Sequence, residues 1–159
     1  MDTTDLTAEQ SLRLDAQLCF ALHAASRAFD GVYRVLLREF GLTYPQYLVL
    51  LVLWEHGELS VKNLGEKLRL DSGTLSPLLK RLEAAGWVER RRAVDDERSV
   101  VVSLTEASGA LKERITQVRR GVGLAIGMDQ EEAEALRSRL VELTRSLDET
   151  SAGLAAAVQ

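Results

Sequence analysis

The chain of 159 residues is 46% hydrophobic but only 5% aromatic, and it carries a formal net charge of −4. One cysteine excludes an internal disulfide and a multi-cysteine metal site, and two histidines are too few for an ordinary zinc centre, so we expect no metal and no cofactor. No apolar run reaches the roughly 18 residues that cross a bilayer, and the polar, acidic N-terminus does not resemble a secretory signal, so we expect a cytoplasmic protein outside the membrane.

The first predicted element is a long helix over residues 15–40, because apolar side chains recur there at steps of three and four. Gly41 is expected to end it. Its start stays open, since Thr7 with Gln10 would form a capping box and Asp15 is also a good N-cap by itself. The apolar stripe consists of Leu18, Leu22, Ala25, Phe29, Val32, Leu36 and Phe40.

Helix caps predict the next three helices. Thr43 with Gln46 forms a capping box for a helix that is apolar on nearly all sides, is therefore buried, and ends near residue 57. Ser60 caps a short helix, VKNLGEKL. Either Asp71 or Ser72 caps the helix after it, in which an internal proline at position 77 predicts a small kink or a late start, and a glycine at position 86 predicts the end.

After this helix, the spacing of apolar residues changes from the pattern of helices to one typical of β-strands. WVERRRA and SVVVSL are β-rich runs around the polar loop VDDER, which predicts a hairpin. Two short capped helices followed at once by a hairpin form a winged helix-turn-helix, a DNA-binding arrangement. The predicted fold class is therefore mainly α with a small β-hairpin wing, and residues 43–105 are the expected DNA-binding region.

Two further helices complete the chain. Thr105 caps one that is predicted to run from residue 106 to about residue 122, where glycines at positions 121, 123 and 127 weaken its end. Asp129 with Glu132 begins the last helix. Its apolar stripe, at close to heptad spacing, consists of Leu136, Leu140, Leu143, Leu147 and Leu154.

The charge distribution favours DNA binding by the central segment. Residues 60–100 contain nine basic and seven acidic side chains, whereas the segments on either side are acidic overall. Small side chains at the start of the second short helix can reach base edges or phosphates, and an arginine on the hairpin can enter the minor groove. Asp96 is placed to hold the Arg98 guanidinium by a bidentate pair. The predicted DNA-binding residues are Asp71, Ser72, Thr74, Ser76, Lys80, Arg90, Asp96 and Arg98.

The hairpin also carries a family signature. Asp96-Glu97-Arg98, followed five residues later by Leu104-Thr105, resembles the wing of MarR-type transcriptional regulators. Residues 14–22 (LDAQLCFAL) and 41–47 (GLTYPQY) are similar to the organic hydroperoxide-sensing branch of that family, often called OhrR. The resemblance covers essentially the whole chain. It implies a homodimer whose interface is built by residues 12–42 and 106–159, and a double-stranded, pseudo-palindromic operator as the partner.

Cys19 is the predicted redox sensor. On composition alone a lone cysteine is more often a small buried hydrophobe. If Asp15 caps the first helix, Cys19 lies near the positive end of the helix dipole, which favours the reactive thiolate; if the helix begins at Thr7, this effect mostly vanishes. Tyr33 lies about 21 Å further along the helix, so it can reach only the cysteine of an antiparallel partner. The resemblance implies that Tyr33 and Tyr44 bond the cysteine of the other subunit.

The expected function is a repressor, not an enzyme, that releases its operator when an organic hydroperoxide oxidises Cys19 to sulfenic acid. Some members of the branch carry a second, resolving cysteine, which this chain lacks. The sulfenic acid would therefore be capped by a small external thiol or be oxidised further. Two alternatives stay open. One is a MarR-type repressor that binds phenolic ligands non-covalently. The other is a thiol peroxidase, which the predicted hairpin and helix caps disfavour.

Overall fold

The computed structural model of the chain describes residues 12–94, 96 and 98–157. They form two compact units that divide between Val122 and Gly123. The helices and strands are α1 (Leu18–Leu36), α2 (Tyr44–His56), β1 (Leu59–Ser60), α3 (Val61–Leu68), α4 (Ser72–Ala84), β2 (Val88–Arg92), β3 (Val100–Leu104), α5 (Glu106–Arg114), α6 (Thr116–Ile126) and α7 (Gln130–Ala157). The fold is mainly helical with a small antiparallel sheet, which confirms the predicted fold class.

The start of α1 differs from the one predicted with Asp15 as the N-cap. Asp15 does not cap the helix, because its carboxylate accepts hydrogen bonds of 2.6 and 2.9 Å from the Arg13 guanidinium. Asp15 lies instead in a 3-10 turn, and Gln17 occupies the N-cap position of α1. The other predicted start, Thr7 with Gln10, lies outside the described residues.

Burial sets the C-terminal end of α1. Leu37 and Phe40 are both buried in the core, and the chain tightens into a 3-10 turn over Arg38–Phe40 to place them there. Gly41 follows with a φ of 64°, a left-handed conformation that glycine adopts without strain. The prediction that Gly41 ends this helical segment is therefore confirmed, although α1 itself stops at Leu36.

Local capping signals fix the starts of the next helices as predicted. The backbone N–H of Thr43 donates to Oε1 of Gln46 at 2.8 Å at the start of α2. The Ser60 hydroxyl accepts the N–H three residues further on, at 3.1 Å, at the start of α3. Asp71 caps α4, which begins at Ser72, so the late start considered for this helix is wrong.

A close backbone approach closes the turn between α3 and α4. The N–H of Leu70 donates to the carbonyl of Gly65 at 2.9 Å. A Cβ atom on Gly65 would lie only 2.7 Å from the Leu70 carbonyl oxygen. Glycine is required at position 65 because a larger residue would push the two backbone segments apart.

The predicted hairpin is present, and a third strand joins it. β2 and β3 pair antiparallel with Arg90 opposite Val102. Leu59 and Ser60 of β1 pair with Val102 and Val101, which gives the strand order β1-β3-β2. The sequence did not predict β1, because two residues are too few for an alternating pattern to be recognised.

The helix predicted over residues 106–122 is in fact two helices. They are separated at Ile115, which is buried in the core. The Thr116 hydroxyl donates to the carbonyl of Glu113 at 2.8 Å, so a side chain satisfies one of the carbonyls at the break. The cause is tertiary, since burial of Ile115 is not visible in the local sequence.

The glycines near the end of α6 do not end it where they were expected to. Gly121 and Gly123 lie inside α6, which continues to Ile126 and is followed by Gly127 with a φ of 67°. A Cβ atom on Gly121 would lie 2.8 Å from the Leu36 side chain. Gly121 therefore allows α1 and α6 to approach closely.

The core lies between Leu37 and Val122, whereas α1 contributes no buried residue. The apolar stripe of α1 stays open in the single chain, with Leu18 63% and Phe29 40% exposed. An exposed apolar stripe of this length is typical of a surface that another chain covers. The fully buried side chains of the core include Leu50, Leu53, Leu64, Leu75, Leu79, Leu82, Val49, Val88, Val102 and Val118.

The last helix begins as predicted and forms the second unit largely by itself. The N–H of Asp129 donates to Glu132 at 3.0 Å, and the N–H of Glu132 donates back to Asp129 at 2.9 Å. Leu136, Leu147 and Leu154 of its stripe are exposed. In the described part of the chain, no helix combines the length and the apolar character that a membrane span requires.

We predict that Gly65→Ala destabilises the protein. Overpacking against the Leu70 carbonyl costs about 1–3 kcal/mol, and the better helix propensity of alanine returns about 1 kcal/mol. The matched control is Gly109→Ala in α5, where no atom lies within 4 Å of the new methyl group, and which should be neutral or stabilising. Urea unfolding at one fixed protein concentration measures both variants. A Gly65→Ala variant as stable as its control would contradict the turn geometry.

Candidate functional site

The start of α4 is fixed by two of the residues predicted to bind DNA. Oδ1 of Asp71 accepts the backbone N–H of Thr74 at 2.9 Å, and Oδ2 accepts the Thr74 hydroxyl at 2.8 Å. These hydrogen bonds, the backbone one first, hold the pKa of the Asp71 carboxyl below its usual range. Asp71 and Thr74 are therefore engaged with each other, and they position the helix.

Three other predicted residues form an exposed stripe on α4. Ser72, Ser76 and Lys80 follow one another at four-residue steps, so they lie on one side of the helix. Leu75 and Leu79, on the face next to this stripe, are buried in the core. The helix is thus held by its leucines, and its small polar side chains and its lysine are free to contact a ligand.

Arg90 is engaged within the chain. Its Nη2 and Nε donate to Oε2 of Glu83 at 2.6 and 3.0 Å, and its backbone N–H donates to Oε1 at 3.2 Å. The hydrogen bond from the Arg90 side chain holds the pKa of Glu83 below its usual range. This pair fastens β2 to the C-terminal half of α4. Arg91 is similarly paired with Glu58 at 2.6 Å.

The bidentate pair predicted between Asp96 and Arg98 is not formed. Oδ1 of Asp96 instead accepts the backbone N–H of Arg98 at 3.0 Å, and the Asp96 carbonyl accepts the N–H of Ser99 at 2.9 Å. A short acidic side chain in a turn bonds the nearby backbone more readily than the end of a long side chain. The Arg98 side chain is exposed and has no polar partner among the described residues. Glu97 of the predicted hairpin tip lies outside the described residues.

A groove of about 410 Å³ lies between α4 and the hairpin. It brings together the predicted residues Ser76, Arg90, Asp96 and Arg98, and α3 contributes Lys62 to the same lining. Ser72 and Lys80 lie on α4 outside this lining. The structure therefore brings these four predicted residues to one groove, although they come from α4, β2 and the hairpin loop.

A cluster of tyrosines lies where α1 meets α2. The rings of Tyr33 and Tyr44 are stacked with centroids 4.2 Å apart, and the ring of Tyr47 lies 5.8 Å from that of Tyr33. Burial raises the pKa of Tyr33 to about 12 and also raises the pKa values of Tyr44 and Tyr47. All three hydroxyls are thus neutral hydrogen-bond donors at physiological pH.

Cys19 is the second residue of α1 and is exposed. Because Gln17 is the N-cap, Cys19 lies nearer to the positive end of α1 than a cap at Asp15 would have placed it. Leu18 and Phe20 on either side of it are also exposed. Tyr33 lies about 21 Å further along the helix axis, so the tyrosine cluster does not reach the Cys19 of its own chain. Over the described ranges, no group of three or more metal-ligating side chains could hold an ion.

Three residues at these sites were not predicted from the sequence. Tyr47 follows Tyr44 by three residues, so one-turn spacing on α2 could have indicated it. Glu83 and Lys62 gave no such signal. Glu83 was not predicted because its partner, Arg90, lies on another element. Lys62 was not predicted because it is one of several charged residues in a short helix.

The sequence is similar to that of known regulators over most of its length. A family model described as transcriptional regulator SarA/Rot matches residues 31–115. The chain is 48% identical over 126 residues to an organic hydroperoxide resistance transcriptional regulator of Bacillus subtilis. That match covers 79% of this chain and 84% of the relative.

Two solved structures share its fold. Reduced AbfR of Staphylococcus epidermidis bound to DNA is 36% identical with a TM-score of 0.73, and the match covers 87% of this chain and 96% of that one. AbfR has also been solved overoxidised on DNA and in a disulfide form. A cysteine-to-serine variant of MarR from E. coli, in complex with operator DNA, is 26% identical with a TM-score of 0.72, over 79% of this chain and 92% of that one.

We predict that the folded state loses stability at high pH through Tyr33. Its pKa is about 12 in the folded protein, whereas tyrosine in an unfolded chain ionises near about 10. The contribution of Tyr33 is therefore complete below about pH 10 and is lost as the pH rises towards about 12. Urea unfolding from about pH 9 upward should show a shallower fall for Tyr33→Phe than for the wild type. Equal slopes would mean that the Tyr33 hydroxyl is not protected by folding.

Proposed function

Because the chain belongs to the MarR-type family of winged-helix transcriptional regulators, and to its organic hydroperoxide branch as a one-cysteine member, we propose that it is a homodimeric repressor that releases operator DNA when Cys19 is oxidised. The observation that carries the proposal is an exposed Cys19 at one end of α1 and a stacked tyrosine pair at the other end. An antiparallel α1 of a second chain would bring these two ends together.

In this proposal each protomer reads one half of a pseudo-palindromic operator. α4 enters the major groove with Ser72 and Ser76 against base edges or phosphates, and Lys80 contacts the backbone. Arg98 on the wing reaches the minor groove, whose negative potential deepens where the groove is narrow. The support is that these four side chains are exposed and have no polar partner among the described residues.

The remaining predicted residues would position these contacts. Asp71 and Thr74 fix the first turn of α4. Asp96 shapes the wing tip by accepting the backbone N–H of Arg98, whose guanidinium is free. Arg90 would hold the wing against α4, since its own guanidinium is bound to Glu83. We therefore assign Arg90 a positioning role and not a base contact.

Residues 12–42 and 106–159 would form the dimerisation region. α1 has no buried residue in the single chain. A second chain would bury its exposed apolar stripe. Three leucines of the α7 stripe, Leu136, Leu147 and Leu154, are likewise exposed. A two-fold dimer through such helices would present two wings and two recognition helices to the same face of a duplex.

The proposed trigger lies at that interface. Tyr33 and Tyr44 of the partner subunit would donate hydrogen bonds to the Cys19 sulfur, which their neutral hydroxyls are able to do. Leu18 and Phe20 give Cys19 an apolar surround that suits an organic hydroperoxide better than hydrogen peroxide. Cys19 itself is exposed in the single chain.

The chemistry is a two-electron oxidation of the sulfur. The Cys19 thiolate attacks the terminal oxygen of the hydroperoxide, an S–O bond forms as the O–O bond breaks, and the alkoxide takes a proton from water to leave as an alcohol. The sulfenic acid then rearranges the tyrosine hydrogen bonds, and the two DNA-reading heads move. Since the chain has no second cysteine, an external thiol condenses with the sulfenic acid and releases water, or further peroxide yields sulfinic acid.

We predict that Cys19→Ser binds DNA like the reduced wild type but is not released by cumene hydroperoxide, because serine cannot be oxidised at this position. The probe is a duplex selected from a randomised pool by the reduced wild-type protein. Gel shifts with and without peroxide measure release, and intact mass counts the oxygen atoms added.

Each rival function has its own outcome in this experiment. Peroxide release of Cys19→Ser would show that the thiol is not the sensor. Reversible release of both proteins by salicylate-like compounds would favour a repressor with a non-covalent ligand. Sustained consumption of peroxide in the presence of thiol would favour a peroxidase.

We predict that Arg98→Ala weakens binding to the same duplex by about 1–3 kcal/mol, which is about 5- to 150-fold, because a free guanidinium that reads a groove is lost. Lys67→Ala, which removes one exposed positive charge of α3 outside the groove between α4 and the hairpin, is the control and should leave the Kd unchanged. Fluorescence anisotropy titrations at one salt concentration compare the three proteins. A Kd for Arg98→Ala equal to that of the control would remove Arg98 from the interface.

A further inference from the structure

Two grooves flank the exposed stripe of α4, and Lys62 borders both of them. A groove of about 610 Å³ runs between α3 and the start of α4, and Lys62 and Ser72 are part of its lining. The groove of about 410 Å³ between α4 and the wing is lined by Lys62 together with Ser76 and Arg98. Lys62 therefore lines both of the grooves that border the Ser72 and Ser76 part of the stripe.

The Lys62 ammonium has no ion pair or hydrogen bond to any of the described residues. The acidic groups that line the same grooves are Glu66, Asp71 and Asp96. Asp71 caps α4, and Asp96 accepts a backbone N–H of the wing. Glu66 lies one turn from Lys62 on α3 but does not pair with it. A positive charge is thus left available beside the recognition stripe.

The position of Lys62 on α3 strengthens its attraction for anions. It is the second residue of the helix, and the N–H groups of a first turn have no acceptor within the helix. The Ser60 hydroxyl satisfies the N–H of Asn63 at 3.1 Å. The positive end of the α3 dipole and the ammonium act at the same place, a combination that favours phosphate.

From this arrangement we propose that Lys62 binds a phosphate of the DNA backbone beside the recognition helix. The inference rests on the DNA-binding function proposed above and adds to it a contact from the first helix of the helix-turn-helix. With α4 in the major groove, α3 crosses the backbone that borders that groove. A lysine at this crossing contributes affinity and register but reads no base.

The experiment compares reduced full-length wild type, Lys62→Ala and Lys62→Arg with Lys67→Ala as the matched control. Lys67 is exposed on the same helix and lines neither groove. The probes are the selected duplex and a scrambled duplex of the same length, titrated by anisotropy between about 50 and 200 mM salt. The readout is the slope of log affinity against log salt concentration.

Loss of one phosphate contact makes this negative slope shallower by about 0.9, so Lys62→Ala should make it shallower by about 1.8 when a dimer occupies both half-sites. Affinity for both duplexes should fall by a similar factor, Lys62→Arg should restore the slope, and Lys67→Ala should match the wild type. A wild-type slope for Lys62→Ala, or a loss confined to the selected duplex, overturns the proposal for Lys62 alone. A wild-type protein that selects no duplex from the randomised pool overturns the DNA-binding function itself.

Discussion

The burial of α2 is the constraint on which both candidate sites depend. Val49, Leu50 and Leu53 are almost completely buried, and α3, α4 and β3 pack against the helix. The tyrosine cluster lies at its N-terminal end, and near its C-terminal end the indole N–H of Trp54 donates to the Ser108 carbonyl at 3.2 Å. A close-packed helix with little exposed surface cannot absorb a displacement by moving into solvent. α2 therefore connects the tyrosine cluster with the elements that carry the predicted DNA-binding residues.

The basic residues around α4 divide into two groups according to their partners. Arg90 and Arg91 are bound to carboxylates of neighbouring elements, so they hold the wing in place. Lys62, Lys80 and Arg98 have no such partner among the described residues. Binding an ion-paired arginine to phosphate would first require breaking the pair, whereas a free cation has no such cost. In the composition, both groups count equally as positive charges. Only the folded structure shows which of these residues are ion-paired and which are available to bind phosphate.

The features that were correctly predicted from the sequence are those decided within a few residues. The caps of α3 and α4 and the reciprocal bonds at the start of α7 need only side chains three positions apart. The errors come from contacts between distant segments or from competing partners. The break at Ile115 follows from burial in the core, β1 exists because β3 pairs with it, and Asp15 is diverted from capping by Arg13.

The candidate site was predicted as a set of residue types but not as a set of roles. The sequence indicated Asp96 and Arg90 as part of the DNA interface, yet their geometry depends on where a turn closes and on Glu83 from another element. Tyr47 was overlooked although it lies beside the predicted tyrosines. The sequence shows which side chains can bind DNA. Only the fold shows which of them are already hydrogen-bonded or ion-paired within the chain.

In the proposed switch, the added oxygen atom changes the energy of the hydrogen bonds between Cys19 and the tyrosines. A hydrogen bond from a neutral hydroxyl to a charged acceptor contributes about 1.5–3 kcal/mol, and one to a neutral acceptor about 0.5–1.5 kcal/mol. Replacing a thiolate by a sulfenic acid between Tyr33 and Tyr44 of the partner subunit would therefore weaken each bond by about 1 kcal/mol. The resulting change of about 2 kcal/mol per site is roughly 30-fold in a two-state equilibrium, and a symmetric dimer applies it twice. Tyr44 belongs to α2 and Tyr33 stacks on it, so the proposed change would act at the helix against which the DNA-binding elements pack.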